Sequence, residues 1–129
     1  MWNHYRNKYS ASKVLVDGIE FASKKEARHY QDLLLLAKAG EISDLQTQVR
    51  YVLIPAQREP DIIGPKGGKK PGKLIEKELS YIADFVFRDK EGNMVVQDVK
   101  GYKGGQAYAL FAVKRKLMLW IHGIRVEEI

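Results

Sequence analysis

Two aspartates and one lysine lie in the most apolar stretches of this sequence, where charged side chains are unusual. Asp84 lies inside the segment 81–87, and Asp98 and Lys100 end the segment 94–100. Nearly continuous apolar strands are normally buried on both faces of a sheet, where an unpaired carboxylate costs several kcal/mol. We therefore expect these charged groups to have partners, and the kind of partner decides the chemistry.

The two segments are predicted to pair as a hairpin across the turn 89–92, with Gly92 in a left-handed conformation. If the hairpin is centred on Glu91, Asp84 lies opposite Asp98, and opposed Cβ atoms in such a pair are about 4.5–5.5 Å apart. Two carboxylates this close repel each other unless they are protonated or bridged by a cation. The spacing therefore predicts a hard divalent cation such as Mg²⁺, which prefers oxygen ligands.

Lys100 lies one strand step beyond Asp98 and on the same face, because side chains alternate along a strand. In the metal hypothesis it orients a metal-bound water or a scissile phosphate. The alternative is an ordinary cross-strand ion pair, in which Lys100 neutralises one aspartate and the other charge stays unpaired. The metal hypothesis also gives a reason for Gly101, beside which a backbone or a phosphate can approach closely.

Glu26 has two interpretations. It is the third residue after Ser23 and so completes the spacing of a helix capping box. On a helical wheel, however, it falls in the apolar stripe with Tyr30 and Leu33, where a residue that only caps the helix has no need to be. The second interpretation is therefore a buried acid with a function other than capping.

Lys114 is a similar anomaly in the second predicted helix, because Arg115 and Lys116 are predicted to project away from the apolar face while Lys114 lies within it. The apolar neighbours on that predicted face are Leu110, Leu117, Met118 and Ile121. A lysine that extends its ammonium group to solvent is the alternative to a functional residue.

The elements that must position these residues follow from periodicity and turn residues. All four prolines and four of the eleven glycines fall between positions 55 and 72, so a flexible loop is predicted at 58–73. The predicted order is a hairpin at 14–21, a helix at 23–39, a strand at 49–54, the loop, a hairpin at 74–100, a helix at 106–122 and a strand at 124–129. This order predicts an α/β fold with a central mixed β-sheet flanked by helices.

Composition limits the class of protein. At 129 residues the chain fits a basic N-terminal arm at 1–13 and a single domain at 14–129. No stretch approaches the roughly 20 apolar residues that span a bilayer, and no signal-peptide core is present, so we expect a cytoplasmic protein without a membrane partner. Cysteines are absent, which excludes disulfides and thiolate metal sites, and the net charge of +6 favours a polyanionic partner.

Together, Ala83–Phe85, Asp98–Gly101 and Glu26 on the preceding helix resemble the motif of the PD-(D/E)XK nuclease superfamily. More narrowly, the segments 17–27, 81–85 and 96–101 resemble a family of small phage- and prophage-encoded proteins assigned to that superfamily. Two positions depart from the motif. Ala83 stands where the superfamily name has proline, and the second acid is Asp98 where many members have glutamate.

The resemblance implies a restriction-endonuclease-like core in which Asp84, Asp98 and the Val99 carbonyl bind Mg²⁺, with Mn²⁺ as a substitute. It also implies that an acid on the first helix, Glu26, reaches the metal, and that a polar residue on the later helix, Lys114, points at the active site. With Lys100, these are the predicted site residues.

The expected function is therefore a Mg²⁺-dependent DNA endonuclease that hydrolyses phosphodiester bonds and leaves a 5′-phosphate. Branched DNA in phage recombination or replication is the favoured substrate. The alternative is a non-catalytic DNA-binding or assembly module that retains the nuclease fold. DNA is the expected partner, a homodimer is left open, and the expected location is the cytoplasm of a bacterial host cell.

Overall fold

The computed structural model describes residues 13–129, so the predicted arm at 1–13 lies outside the described residues except for Lys13. The helices are α1 (Lys24–Lys38) and α2 (Gly105–His122). The strands are β1 (Val14–Val16), β2 (Ile19–Phe21), β3 (Ser43–Ile54), β4 (Gln57–Arg58), β5 (Ile62–Ile63), β6 (Lys69–Lys70), β7 (Leu74–Glu76), β8 (Leu79–Arg88), β9 (Met94–Asp98) and β10 (Glu127–Glu128).

The central sheet has the strand order β10-β9-β8-β3. The β3–β8 and β8–β9 pairs are antiparallel, whereas β10 pairs with β9 in parallel. The sheet is therefore mixed, as the sequence predicts. The long strands β3 and β8 form the longest pairing of the sheet, and Asp84 lies within β8.

The two helices pack on opposite faces of this sheet. Phe87 and Val95 belong to the core around α1, whereas their chain neighbours Val86 and Val96 belong to the core around α2. Since side chains alternate along a strand, neighbours with different cores place the two helices on different sides. The predicted arrangement of helices flanking a central sheet is confirmed.

The start of α1 and the tight turn that precedes it follow from local sequence. The Oγ of Ser23 accepts a hydrogen bond of 3.1 Å from the Glu26 N–H, which satisfies one of the free amides of the first turn. Before the helix, Asp17 and Gly18 both have positive φ values, as a tight turn between β1 and β2 requires. Both predicted elements are confirmed.

Short strand pairs occur within the predicted loop at 58–73, although most of its residues are in no helix or strand. This part of the chain is an extended hairpin in which β4 pairs with β7 and β5 pairs with β6. Pro60, Pro65 and Pro71 lie between these short pairs and at the turn, so they interrupt the strands without preventing their pairing. Its flexibility is a separate prediction, which these strand pairs do not test.

No helix in the described part of the chain, 13–129, is long and apolar enough to cross a membrane.

Candidate functional site

The register of the β8–β9 hairpin is the predicted one. The observed pairs run from Arg88 with Met94 to Phe85 with Gln97, and each is equidistant from Glu91. One further step would bring Asp84 opposite Asp98, but the ladder ends first. Instead, the Asp84 Oδ2 accepts a hydrogen bond of 2.8 Å from the backbone N–H of Val99. The Asp84 carboxylate thus binds a backbone N–H at the point where regular β8–β9 pairing ends.

The alternation of side chains also breaks at Asp84. Ala83 packs in the core around α2, whereas Phe85, two positions along the strand, packs in the core around α1. On the neighbouring strand β3, Gln48 lies between the residues paired with Ala83 and Phe85 and has a φ of 54°. A left-handed residue inside a strand is an irregularity of the kind that occurs next to functional sites. Here it brings the Gln48 side chain to the acids.

Glu26, Asp84 and Gln48 form the open side of the site. Glu26 is only 5% exposed, and Asp84 is half-buried. The Gln48 Nε2 donates to the Glu26 Oε1 at 3.2 Å and to the Asp84 Oδ1 at 3.3 Å, so one amide bridges two carboxylates. A cleft of about 360 Å³ opens beside them and is lined by Lys13, Glu20, Phe21, Ala22, Glu26, Gln48 and Asp84.

The electrostatics of the open side favour added positive charge or protons. Burial, followed by the negative charge of Asp84, raises the pKa of Glu26 to about 7. Burial also raises the pKa of Asp84, with the charge of Asp98 acting in the same direction, while the Val99 amide, Gln48 and Lys100 oppose the rise. A neutral amide is a weak partner for two carboxylates, and a cation between them would relieve the repulsion.

Asp98 and Lys100 form the closed side of the site. Asp98 is 6% exposed, and its Oδ2 accepts a hydrogen bond of 2.7 Å from the Tyr81 hydroxyl. Its Oδ1 is 2.7 Å from the Lys100 Nζ, which itself lies 3.6 Å from the centroid of the Phe111 ring on α2. Both carboxylate oxygens are therefore occupied. The ion-pair alternative is present in a modified form, because Lys100 pairs with the aspartate two residues before it and not with one on the neighbouring strand.

The predicted ligands do not come together as a metal-binding cluster. In the part of the chain that the structure describes, no group of three or more His, Cys, Asp or Glu side chains is arranged to hold a metal ion. The charges nevertheless interact, because both Asp84 and Asp98 raise the pKa of Glu26. Val99 contributes its amide to Asp84, and its role as a carbonyl ligand stays a prediction.

The predicted face of α2 is correct at Met118, which is buried, and at Leu117, which packs against the core, but it is wrong at two other positions. Leu110 and Ile121 are exposed, whereas Arg115, which was expected to project away, forms a 3.2 Å ion pair with Glu128 at the sheet. The helix has apolar residues on more than one side, so a helical wheel alone does not select the side that packs. Lys114 is half-buried beside the true contact face, and its place in the active site stays a prediction.

Sequence reasoning missed two residues of the site. Gln48 gives no signal in the sequence, because no local feature predicts a left-handed residue inside a β-strand. Tyr81 did carry a signal, since a buried tyrosine hydroxyl usually needs a hydrogen-bond partner and Tyr81 lies in the same apolar strand as Asp84. Its partner is Asp98.

Fold and site together define a mixed α/β protein with an acidic cleft at an irregular point of its sheet. The sequence model of a family described as protein of unknown function (DUF1064) matches residues 6–121, and the chain belongs to this family. A search of curated proteins and a search of solved structures each give no match.

Proposed function

We propose that this protein is a Mg²⁺-dependent DNA endonuclease with a restriction-endonuclease-like core of the PD-(D/E)XK type. The observation that carries the proposal is the pair Glu26 and Asp84, two close carboxylates with raised pKa values that face an open cleft. The second acid, Asp98, ends the next strand, one step beyond the last β8–β9 pair, and Lys100 follows two residues later.

The donor set fits a hard divalent cation. Glu26 and Asp84 offer carboxylate oxygens, Gln48 offers an amide oxygen if its side chain turns over, and all three face the same cleft. Asp98 is the third acid of the proposed set: its charge acts on Glu26 and Asp84, and its two oxygens contact Tyr81 and Lys100. A bound Mg²⁺ supplies a Lewis acid and lowers the pKa of its water, which is the chemistry that phosphodiester hydrolysis needs.

The residues of the chain have separate tasks in this proposal. Glu26 and Asp84 hold the cation, and Asp98 keeps the ammonium of Lys100 next to the site. Lys100 places a positive charge where a phosphate gains negative charge in the transition state. Packing on the Phe111 ring limits the freedom of this lysine, so less order has to be gained when substrate binds.

A cleavage assay tests the proposal most directly. Purified protein should nick plasmid DNA with Mg²⁺ or Mn²⁺ and not with EDTA. Asp84→Asn should slow cleavage by more than about 100-fold, since losing even an outer partner of a metal ligand costs 10–100-fold. Asp32→Asn, an exposed acid on the same helix as Glu26, is the matched control and should cleave like the unmodified protein.

Binding of Mg²⁺ without DNA gives a second readout, measured by calorimetry. The unmodified protein should bind the ion, and Asp84→Asn should bind it much more weakly. Undiminished cleavage by Asp84→Asn would overturn the site. DNA binding without cleavage in any metal would instead support the alternative of a non-catalytic DNA-binding or assembly module.

The substrate, location and assembly state belong to the same proposal. Linear, flapped and four-way-junction DNA compared in one assay would test the preference for branched DNA in phage recombination or replication. The proposed place of action is the cytoplasm of a bacterial host cell, for a phage- or prophage-encoded protein. Light scattering of the purified protein would test the homodimer.

A further inference from the structure

The hairpin at 57–76, here named the lysine hairpin, is a separate arm of the described structure. Its strands pair only with one another, as the two-stranded ribbons β4–β7 and β5–β6, and not with the central sheet. At its base the Glu59 N–H donates to the Lys73 carbonyl at 2.8 Å, and the Arg58 guanidinium donates to the Gly72 carbonyl at 3.2 Å. A Cβ on Gly72 would lie 2.2 Å from the Glu59 carbonyl oxygen, so the two chains cross tightly there. This close approach holds the two chains of the arm together at its base.

The outer part of the lysine hairpin combines positive charge with exposed apolar side chains. The segment 62–73 holds four lysines and no acidic residue. Ile62 is 58% exposed and Ile63 is 70% exposed, which is unusual for two adjacent isoleucines. The lysines are Lys66, Lys69, Lys70 and Lys73. Both features need a partner that is anionic and also offers an apolar surface.

The register of the ribbon limits what that partner is. Ile62 pairs with Lys70, and Ile63 pairs with Lys69. Paired side chains lie on the same face of a ribbon and successive ones on opposite faces, so each face carries one isoleucine and one lysine. A membrane-surface element separates its apolar face from its charged face, and this ribbon does not. A ribbon with a cation on both faces fits between two rows of phosphates.

We propose that the lysine hairpin inserts into a groove of DNA, where its lysines contact the phosphates of both strands and its isoleucines press against a base step. A two-stranded ribbon is narrow enough for a DNA groove, and apolar side chains such as isoleucine and proline are known to unstack base steps. The proposal rests on DNA being the ligand of the proposed function, but not on cleavage.

The arm is connected directly to the site. Strand β3 carries Gln48 and leads into β4, and β7 leads into β8, which carries Asp84. Between Lys70 and Asp84 the chain spans at most ~50 Å if fully extended. One turn of DNA is about 34–36 Å long. The inserted arm would therefore distort DNA within about one and a half turns of the cleaved bond. Easily unstacked DNA would be the preferred ligand.

A binding experiment in EDTA separates the arm from catalysis. The probe is a DNA duplex with 2-aminopurine within reach of the arm, whose fluorescence rises when the base unstacks. Affinity is measured by anisotropy over a salt series. The unmodified protein should bind and raise the fluorescence.

Two double variants separate the contribution of the lysines from that of the isoleucines. Lys69→Gln with Lys70→Gln should flatten the slope of log affinity against log salt by about 1.8, at about 0.9 for each lost phosphate contact. Ile62→Ser with Ile63→Ser should keep that slope, lose the fluorescence rise and weaken binding roughly 10-fold. The matched controls are Lys90→Gln, an exposed lysine on another hairpin, and Leu35→Ser, an exposed leucine on α1. Both controls should bind like the unmodified protein.

The outcomes separate this inference from the proposed function. Arm-dependent binding and unstacking support it even if no metal restores cleavage, which would defeat only the proposed endonuclease. Cleavage together with binding that neither double variant changes would overturn the inference alone. Lysine-dependent binding to phosphatidylserine vesicles, with no binding to DNA, would also overturn it.

Discussion

The open and closed sides of the site each bury an acidic side chain, but they surround it with different partners. On the closed side Asp98 is almost fully buried, yet a hydroxyl and an ammonium group occupy its two oxygens. On the open side Glu26 is equally buried, but its neighbours are another carboxylate and a neutral amide. Glu26 and Asp98 are therefore equally buried, and only their partners differ.

This difference shows where the protein stores unbalanced charge. A buried carboxylate with a cation and a hydroxyl stabilises the fold once both partners are in place. A buried carboxylate beside a second one opposes the fold, and such an arrangement is typical of sites that bind cations or transfer protons. The closed side thus holds Lys100 in position, and the open side carries negative charge that is not balanced by a cation.

Removing the cation from the closed side should have the largest effect on stability. Lys100→Met leaves Asp98 buried with only Tyr81, and we expect the free energy of unfolding to fall by about 4 kcal/mol. Urea denaturation at pH 7 measures this. Adding Asp98→Asn to the same protein should restore most of the loss, because no unpaired charge remains.

Lys13→Met is the control for that loss. It breaks the ion pair between Lys13 and Glu20, whose side chains are 77% and 59% exposed, and should cost about 0–1 kcal/mol. An equal loss from both lysine variants would mean that the closed side is no better shielded than the surface.

The open side should make stability depend on pH. The folded protein raises the pKa of Glu26 from 4.5 to about 7, so the folded state holds the proton more tightly than the unfolded state. The resulting stability is complete below pH 4.5 and is lost as the pH rises towards 7, by up to about 3 kcal/mol. Urea titrations in EDTA between pH 4 and pH 8 should show this fall, and Glu26→Gln should flatten it.

Glu91→Gln, an exposed acid in the β8–β9 turn, is the control and should keep the fall. Adding Mg²⁺ above pH 7 should restore part of the stability of the unmodified protein and none in Glu26→Gln. If stability depends on pH in the same way in Glu26→Gln, then Glu26 is not the source of the pH dependence, and the open side does not differ from the closed side as described.

The smallest of these effects concerns the second partner of Asp98. Tyr81→Phe deletes only a hydroxyl and should lower the free energy of unfolding by about 2 kcal/mol, the usual range for a hydrogen bond to a charged group. Denaturation with urea measures it, with Tyr102→Phe, 84% exposed, as the control. Because Tyr81 lies on the closed side, cleavage by Tyr81→Phe should fall much less than by Asp84→Asn. The reverse order would assign the cation to the closed side.

Local sequence was enough to predict most elements and one register. Ser23 begins α1, Gly123 ends α2 in a left-handed conformation, and the turn with Gly92 centres the β8–β9 hairpin on Glu91. These features depend on capping and turn residues that act over a few positions. The short strand pairs within 58–73 were not predicted, because proline and glycine interrupt strands without preventing two of them from pairing.

The sequence by itself determined that Asp84, Asp98 and Lys100 lie near the point where β8–β9 pairing ends, and that Glu26 lies in the first turn of α1, since helix caps, turns and strand alternation are local rules. Only the tertiary structure decided how these charges divide. The left-handed Gln48 on β3 draws Glu26 and Asp84 to one side, and Tyr81 with the Phe111 ring of α2 holds Asp98 and Lys100 on the other. These partners lie on elements far apart in the chain, and their choice depends on the packing of both helices against one sheet, which no short window of sequence contains.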